Sequence, residues 1–386
     1  ARKKRSLLLH LYGDEIDRDP WSLPMANGVV DLRTGEMRPG RPDDWLVKSS
    51  PVEWQGIDAP CPHWEHFVTE IMGDDPEMAA FLQRVFGYGV TGLAREHIFL
   101  VLFGRGRNGK GIMTEVIQTV LGGQNATTAL AGPVQSEMLL DQGKNRSAAG
   151  PSPDIMSLRG LRIAFASETD EGQRFSPARV KWFSGGETLT GRYPHDKRNV
   201  SFAPTHLLAL LTNHKPHAPA SDFAFWERLL LVDFPLSFVD RKPQNENERP
   251  MDKGLKDRLL QELPGIAAWL VRGCLEWQRV GIAPPAKVRE ATSEYRRDED
   301  LLADFVDECC DLQQEGQPEI RSKASDLYDA FCAWFKRNVS AKKTISQKAF
   351  GKMMLERFQR ERKGGTYYYF GVSVSPHAQL ELDQEE

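Results

Sequence analysis

The chain has 386 residues, of which 40% are hydrophobic and 27% charged, with a formal net charge of −4 at pH 7. A chain of this length exceeds one ordinary hydrophobic core and predicts about two or three domains. Its composition is that of a globular protein and excludes a largely disordered one. No segment approaches the ~18 uninterrupted apolar residues of a membrane span, so we expect no membrane partner.

The cysteines indicate the compartment of the protein, and its first residues indicate whether the chain is complete. The five cysteines lack the spacing of metal ligands, and an odd number of them without a signal peptide predicts reduced thiols in a cytoplasm. The chain begins with ARKKRS and has no initiator Met. We therefore expect it to be part of a longer polypeptide.

Residues 1–95 form the first predicted segment, which is β-rich and then helical. The stretch ANGVVDLRTGEM predicts a hairpin, with turns at residues 27–28 and 33–35. From Pro62 the apolar spacing becomes helical, in HWEHFVTEIMG and again in MAAFLQRVFGYGVTG. We expect a short helical bundle that leads into the next domain.

Residues 96–240 alternate between strand and helix patterns. This alternation predicts an α/β domain with a parallel sheet covered by helices on both faces. The predicted strands are HIFLVLF, LRIAFAS, HLLALLT and RLLLVDF.

A phosphate-binding loop is predicted where the first of these strands meets a helix. In the motif G-x-x-x-x-G-K-[ST], backbone N–H groups surround the phosphates, the lysine reaches the β- and γ-phosphates, and the hydroxyl holds Mg²⁺. Gly111 stands where Ser or Thr is usual. The alternative is a Gly-rich turn without a ligand. The loop residues predicted to bind the nucleotide are Gly104, Gly106, Asn108, Gly109, Lys110 and Gly111.

Polar residues follow two other predicted strands. Glu168 ends LRIAFAS, with Asp170 and Glu171 close behind, and a carboxylate there would hold Mg²⁺ through water and orient the attacking water. Asn213 follows HLLALLT, at the sheet edge where α/β proteins bind ligands, and would contact the γ-phosphate. The alternatives are acidic residues that solvate a turn and an Asn that begins one.

Two basic features complete the predicted site. Arg228 is the first residue of RLLLVDF, directly before the apolar part of this strand, and is costly to bury without a partner. We therefore expect either an arginine finger that reaches a neighbouring subunit's nucleotide or a surface salt bridge. Residues 193–200 predict a projecting hairpin with His195, Lys197 and Arg198 at its tip. Such a tip would contact DNA phosphates, the alternative being a solvated loop.

The remaining segments are predicted to be a helical region and linker (241–298), a winged-helix-like domain (299–375) and an acidic tail (376–386). The polar stretch SFVDRKPQNENERPMD is expected to be an exposed connection. Residues 321–370 hold 12 lysines and arginines against 4 acidic residues, a surface for either DNA or a protein. The aromatic run at 367–370 is expected to form the core of the wing rather than a base-stacking platform.

These motifs in this order resemble the superfamily 3 helicases, most closely the phage, plasmid and poxvirus primase-helicases. The resemblance extends from Asn27 to Gly371 and is carried by NGVVDLRTG, FLQRVFGYGVTG, GRGRNGKG, SETDEG, VKWFSGGETLTGR, FAPTHLLALLTNHKP, FWERLLLVDF and YYFGV.

The resemblance implies a P-loop, AAA+-like fold and a ring-forming ATPase, usually hexameric, that uses ATP and Mg²⁺. It implies 3′ to 5′ movement of single-stranded DNA through a central channel at a replication fork. It also implies a primase or polymerase domain on the N-terminal side and, for a phage or plasmid protein, a bacterial host cytoplasm.

The resemblance also assigns roles to individual residues. Because Gly111 lacks a hydroxyl, either water or Thr114 would complete the Mg²⁺ shell. The implied roles are the phosphate-loop lysine for Lys110, the Mg²⁺- and water-binding acid for Glu168, the sensor for Asn213, the finger acting across subunits for Arg228, a contact to the neighbour's nucleotide for Lys181, and the channel hairpin that tracks DNA for His195 and Lys197.

Two other functions remain open from the sequence. One is a DNA-binding replication initiator or adaptor with a weak or vestigial ATPase, which Gly111 and the basic C-terminal segment suggest. The other is a P-loop phosphotransferase in which Arg228 acts within its own subunit.

Overall fold

The structure is a computed structural model. It describes residues 16–123, 128–143, 151–167, 171–196, 198–314, 319–339 and 345–376. Two compact units are present, the first comprising Ala1–Ala218 and Ala224–Glu294 and the second Pro219–Phe223 and Tyr295–Glu386. Within the described ranges, no helix is long and apolar enough to cross a membrane. The finer division into five segments stays a prediction.

The first unit begins with a small antiparallel sheet and two helices. The elements are β1 (Ser22–Met25), β2 (Gly28–Asp31), β3 (Glu36–Arg38), a short 3-10 helix (Pro42–Asp44), α1 (Pro62–Ile71) and α2 (Pro76–Gly89). β2 pairs with both neighbours, so the expected hairpin is present. Asp75 begins α2 as an N-cap, because its carboxylate accepts hydrogen bonds from the backbone N–H groups of Glu77 and Met78.

Further strands and helices follow up to Asp298, and the last of these helices runs past Glu294, where the first unit ends. The strands are β4 (Phe99–Phe103), β5 (Ala131–Gln135), β6 (Ile163–Ser167), β7 (Leu189–Gly191), β8 (Val200–Phe202), β9 (Leu207–Thr212), β10 (Leu229–Asp233), β11 (Ser237–Val239) and β12 (Glu248–Pro250). The helices are α3 (Lys110–Val120), α4 (Pro153–Ser157), α5 (Pro177–Ser184), α6 (Phe223–Trp226), α7 (Leu255–Gln261), α8 (Leu263–Val280) and α9 (Ala286–Asp298), with a 3-10 turn at Ser136–Met138.

A five-stranded parallel sheet is the centre of this unit, in the order β10-β4-β9-β6-β5. Leu100 and Leu102 point into the large core that α2, α3 and α8 share, whereas Phe99 packs on the other face against Phe175. The strands are nearly continuous apolar runs because both faces are buried. The predicted α/β fold class, a parallel sheet covered by helices, is confirmed.

The edge strand β5 was not predicted from the sequence. Its sequence AGPVQ contains Gly and Pro, which normally indicate a loop. Pro133 is tolerated because β5 pairs only with β6 and leaves its other edge unpaired in the sheet.

The polar stretch after Pro235 is also more ordered than an exposed connection. Its two ends form β11 and β12, which pair in parallel, and Arg241 makes two hydrogen bonds to the carboxylate of Glu248. This pairing joins residues about ten positions apart, and no local pattern indicates it.

The second unit combines helices with antiparallel strands. Its elements are α10 (Leu301–Cys309), β13 (Cys310–Leu312), β14 (Arg321–Lys323), α11 (Ala324–Asn338), α12 (Gln347–Leu355), β15 (Arg360–Lys363), β16 (Thr366–Phe370) and β17 (Val372–Val374). β14, β16 and β15 form one sheet in that order, and β13 pairs with β17. Phe305, Phe331 and Phe350 lie in its core. The helices α10, α11 and α12 and the β15–β16 hairpin occur in the predicted order, and the assignment of this unit as a winged helix stays a prediction.

Helices α2 and α8 approach so closely that glycine is required where they meet. A Cβ atom on Gly273 would collide with the carbonyl oxygen of Gln83, and one on Gly87 would collide with the backbone nitrogen of Cys274. Neither obstacle is a flexible side-chain end, so the helices would have to separate to admit a methyl group.

We therefore expect Gly273→Ala to lower the free energy of unfolding of the first unit by about 1–3 kcal/mol, the usual cost of overpacking. Urea unfolding followed by tryptophan fluorescence measures the change. Gly351→Ala is the control, because Gly351 also lies within a helix but its nearest neighbour would be Tyr369 Oη at 3.5 Å. Equal stability of the Gly273→Ala chain and the native chain would contradict the close packing of α2 and α8.

Candidate functional site

The loop of residues 104–109 connects β4 to α3 at the carboxyl edge of the parallel sheet. Gly106 and Gly109 have φ angles of +94° and +86°, which favour glycine. A Cβ on Gly109 would lie 2.5 Å from Cγ2 of Ile71, so α1 packs directly on the loop. The loop is fixed to β9 by a hydrogen bond from the Gly104 N–H to the Thr212 carbonyl, at 3.2 Å.

Asn108 is the buried polar side chain of this loop. It is 4% exposed, and its amide leaves no room for a Cβ on Gly104. Within the described part of the chain, the buried amide nitrogen of Asn108 has no hydrogen-bond partner. A buried donor without a partner is rare in proteins, and an oxygen atom of a bound ligand would satisfy it.

Lys110 links the loop to the end of β9. Its ammonium group donates to the Gly104 carbonyl at 2.6 Å, the Thr212 carbonyl at 3.1 Å and the Asn213 side-chain oxygen at 3.2 Å. Burial lowers the pKa of Lys110 to about 8. The structure thus brings together two residues that the sequence singled out, Lys110 and Asn213, which are far apart along the chain.

A cleft of about 680 Å³ opens beside this ammonium group. The residues that line it include Gly106, Asn108, Lys110, Gly111, Thr114, Ser167, Glu171 and Asn213. The N-terminal end of α3 lies at the same cleft, and such an end favours anions. The arrangement fits a polyphosphate, which would supply oxygen atoms to Lys110 and to the Asn108 amide.

The predicted metal ligand Glu168 lies outside the described residues, as does Asp170. Ser167, the last residue of β6, lines the cleft, and so does Glu171. Among the residues with described positions, no group of three or more His, Cys, Asp or Glu side chains could hold a metal ion. Mg²⁺ beside a phosphate usually needs only one or two carboxylates, the remaining ligands being water and phosphate oxygens.

Gly111 and Thr114 bear on the missing hydroxyl of the loop motif. A Cβ built on Gly111 would meet no atom within 4 Å, so the space for a side chain is open. The Thr114 hydroxyl hydrogen-bonds to the carbonyl oxygens of Lys110 and Gly111, at 3.1 and 3.2 Å. Thr114 therefore already has partners within α3, although it lines the cleft.

A second, larger cavity of about 910 Å³ lies on the other side of the loop. It shares Arg107, Asn108 and Gly111 with the first cleft, so the two adjoin. Its wall is largely apolar, with basic groups among the apolar ones. It includes His66, Phe67, Ile112, Phe238, Met251 and Lys256.

No pattern in the sequence indicates this larger cavity. Its walls come from α1, the strands β11 and β12, and α7, which are separated in the chain by the whole central sheet. No local motif connects these segments. The sequence pattern predicted that α1 is a helix, but it did not indicate that α1 lines a cavity.

Arg228 lies at the amino-terminal end of the parallel strands, whereas the loop lies at their carboxyl end. It directly precedes β10, whereas the loop follows the far end of the neighbouring strand β4. Five residues of strand span about 16 Å. The guanidinium donates to the Ala224 carbonyl at 2.6 Å, and its buried Nε has no partner among the described residues. Arg228 is thus remote from the cleft of its own chain.

The other predicted basic residues also lie away from the two cavities. Lys181 is in the last turn of α5, partly exposed. His195 and Arg198 are exposed in the loop of the antiparallel β7–β8 hairpin, as the sequence indicated, and Lys197 lies outside the described residues. The roles of these residues stay predictions.

Comparisons with known proteins find similarity to proteins of DNA viruses. A family model described as "D5 N terminal like" matches residues 2–73. A protein of Acanthamoeba polyphaga mimivirus, for which a helicase function has been proposed, is 26% identical over 85% of this chain and 34% of its own length. An African swine fever virus protein, for which a primase function has been proposed, is 20% identical over 86% of this chain and 35% of its own length.

Among solved structures, the chain is similar to the C-terminal region of NrS-1 in its apo form. The identity is 12%, the match covers 85% of this chain and 77% of that one, and the TM-score is 0.42. The chain spans about a third of the length of the two viral relatives.

The lowered pKa of Lys110 predicts how ligand affinity depends on pH. A triphosphate binds the protonated ammonium group, so affinity should be highest below pH 8 and fall above it, by up to about tenfold per pH unit. Calorimetric titration with ATP at about pH 7 and about pH 9 measures this. In Lys110→Arg the side chain stays charged throughout, so its affinity should change little between the two conditions. Equal affinities for the native chain would contradict the role of Lys110.

Proposed function

Because the chain belongs to the superfamily 3 primase-helicase family, we propose that it is an ATP-dependent DNA helicase of replication. The observation that carries this proposal is the contact of Lys110 with both Gly104 and Asn213. It joins the predicted phosphate loop to the predicted sensor at one point of the sheet edge. A loop without a ligand would not require a buried ammonium group there.

The two cavities divide the nucleotide between them. The triphosphate occupies the cleft beside Lys110, where phosphate oxygens replace the three oxygen atoms that now accept its hydrogen bonds. The ribose and base occupy the adjoining apolar cavity, whose volume suits a flat heteroaromatic group. Asn213, released from Lys110, is then free to hydrogen-bond to the γ-phosphate or to the attacking water.

Mg²⁺ would neutralise the phosphates when bound. Ser167, the last residue of β6, and Glu171 line the cleft, and we propose that they hold its water ligands together with Glu168, which was assigned from the sequence. Because Gly111 provides no hydroxyl, we propose that a further water molecule completes the metal shell.

The position of Arg228 supports a site shared between subunits. A guanidinium about one strand length from its own phosphate cleft cannot reach the γ-phosphate of its own chain. We propose that it enters the cleft of a neighbouring copy and that Lys181 does the same from α5. We propose a ring of six identical subunits, the number that the resemblance implies, in which these residues complete the neighbour's site.

The β7–β8 hairpin is the proposed DNA-tracking element. Its exposed tip carries His195 and Arg198, with Lys197 next to them in the sequence. Cations at such a tip contact phosphates without reading sequence. The proposed binding partners are single-stranded and fork DNA, and a primase or polymerase domain on the N-terminal side. For a phage or plasmid protein, the proposed location is a bacterial host cytoplasm.

Two rival functions make different demands on the site. A vestigial ATPase in an initiator or adaptor would not need Lys110 to be held beside Asn213. A phosphotransferase would need Arg228 near its own phosphate cleft, which the sheet prevents. The helicase proposal is therefore preferred over both.

DNA-stimulated ATP hydrolysis tests the proposal. Lys110→Ala should reduce the turnover by at least about a hundredfold, because it removes the charge that binds the phosphates. Arg228→Ala should lower it by about a thousandfold. A mixture of the two variants should regain part of the activity, since an intact loop on one subunit can meet an intact Arg228 on another. An unchanged rate in Lys110→Ala would refute the proposal, and a mixture without recovery would refute the shared site.

Gly111→Ser tests the metal shell. The added hydroxyl meets no obstacle and would become a direct Mg²⁺ ligand. We expect half-maximal hydrolysis at a severalfold lower Mg²⁺ concentration, with little change in nucleotide affinity measured without metal. Gly106→Ser is the control, because it also has open space but lies at a positive φ and should instead weaken nucleotide binding. An unaltered Mg²⁺ dependence in Gly111→Ser would mean that the metal does not approach residue 111.

A further inference from the structure

One face of the β14-β16-β15 sheet is left uncovered by the core of the second unit. Tyr369 is 1% exposed and packs in that core. Side chains alternate along a strand, so Tyr368 and Phe370 point to the opposite face. Neither ring belongs to the core or packs against its edge, and both remain partly exposed. The expectation that the whole aromatic run forms the core of the wing is therefore wrong for these two residues and for Tyr367, which is 44% exposed.

Cations from both neighbouring strands surround the two rings. Arg321 and Lys323 of β14 pair in register with Phe370 and Tyr368. The guanidinium carbon of Arg321 lies 5.4 Å from the Tyr368 ring centroid, and Nζ of Lys363 lies 4.8 Å from the Phe370 ring centroid. We call Arg321, Lys323, Lys363, Tyr368 and Phe370 the outer face.

We propose that the outer face binds single-stranded DNA, with bases stacked on the two rings and phosphates held by the three cations. Tyr368 and Phe370 are two residues apart, so their rings project about 7 Å from one another along the strand. Two aromatic side chains on one face of a sheet, bordered by cations, are the means by which several sheet proteins hold single strands.

A single strand fits the outer face better than a duplex does. Bases in a duplex are already stacked on each other, so exposed rings gain nothing from them, whereas an unpaired base has a free face. A duplex would contact only the cations. The proposal is independent of the nucleotide site, since it rests on residues of the second unit alone.

Some of the present contacts of the outer face would have to change when DNA binds. A cation and a base cannot cover the same side of a ring, so Arg321 and Lys363 would move from the rings to the phosphates. Lys363 also lies 3.6 Å from the carboxylate of Glu361, an exposed ion pair. Glu361 therefore opposes phosphate binding, and its removal should strengthen it.

The test uses the full chain without nucleotide, in a Lys197→Ala background so that the β7–β8 hairpin does not dominate. Fluorescence anisotropy of a labelled oligo-dT measures affinity. The double change Tyr368→Val and Phe370→Val keeps strand-forming residues and removes the rings, and should weaken binding by about tenfold or more. Tyr367→Val is the matched control, because Tyr367 is exposed but on the other face. It should bind as the background chain does.

Charge variants test the phosphate contacts. Lys323→Gln should reduce the slope of log affinity against log salt by about one, and Glu361→Gln should increase affinity severalfold at low salt. Equal affinities of the double variant and the control would overturn the proposal. An equal loss of duplex and single-strand binding in the double variant would overturn the stacking on the rings.

A direct readout separates binding from any loss of folding. Photocrosslinking of an oligonucleotide containing 5-iododeoxyuridine to the chain with native residues at the outer face, followed by mass spectrometry, should place adducts on Tyr368 or Phe370. Adducts found only on Tyr367 or in the first unit would overturn the proposal, whatever the affinities of the variants.

Discussion

One buried ammonium group holds the candidate nucleotide site together. Lys110 is surrounded by carbonyl and amide oxygens from the loop and from the end of β9, and among the residues that the structure describes no carboxylate hydrogen-bonds to it. Uncharged acceptors satisfy its hydrogen bonds but do not offset its desolvation, which is why its pKa falls to about 8. A phosphate carries negative charge, so its attraction to the ammonium group is stronger than that of the uncharged oxygen atoms it replaces. The group is thus stable without a ligand and still disposed to exchange its partners for one.

This contact exists only because of the order of the strands. β9 pairs directly with β4, in register from Phe99 with Leu208 to Phe103 with Thr212, although about a hundred residues separate the two strands. The residues that follow them, Gly104 and Asn213, therefore emerge side by side. The helices contribute by covering the sheet: α1 packs on Gly109, and the close contact of α2 with α8 completes the core beneath.

The sequence predicted those parts of the molecule that depend on local pattern. Four of the five central strands are unbroken apolar runs, because a buried parallel strand has no polar face. The loop motif after one of them singled out Lys110 and the carboxyl end of another singled out Asn213, and the functional roles of both stay predictions. The strand β5 was not predicted, because its Gly and Pro normally indicate a loop and are tolerated here only at a sheet edge. The larger cavity was not predicted, because its walls come from separate segments that meet only in the tertiary structure. The opposite orientations of Tyr368 and Tyr369 depend on the pairing of β16, which composition does not reveal.

The remote position of Arg228 follows from the same parallel sheet. In such a sheet every strand ends at the phosphate edge and begins at the other, so a residue that directly precedes β10 is kept from its own loop by the length of the strand. The bond from Arg228 to the Ala224 carbonyl fixes the guanidinium at that far edge. On the proposed mechanism, hydrolysis needs a guanidinium at the γ-phosphate in addition to Lys110, and Arg228 cannot reach the γ-phosphate of its own chain. The fold then makes assembly a condition of catalysis, because only a second copy can present its β10 edge to the first copy's loop.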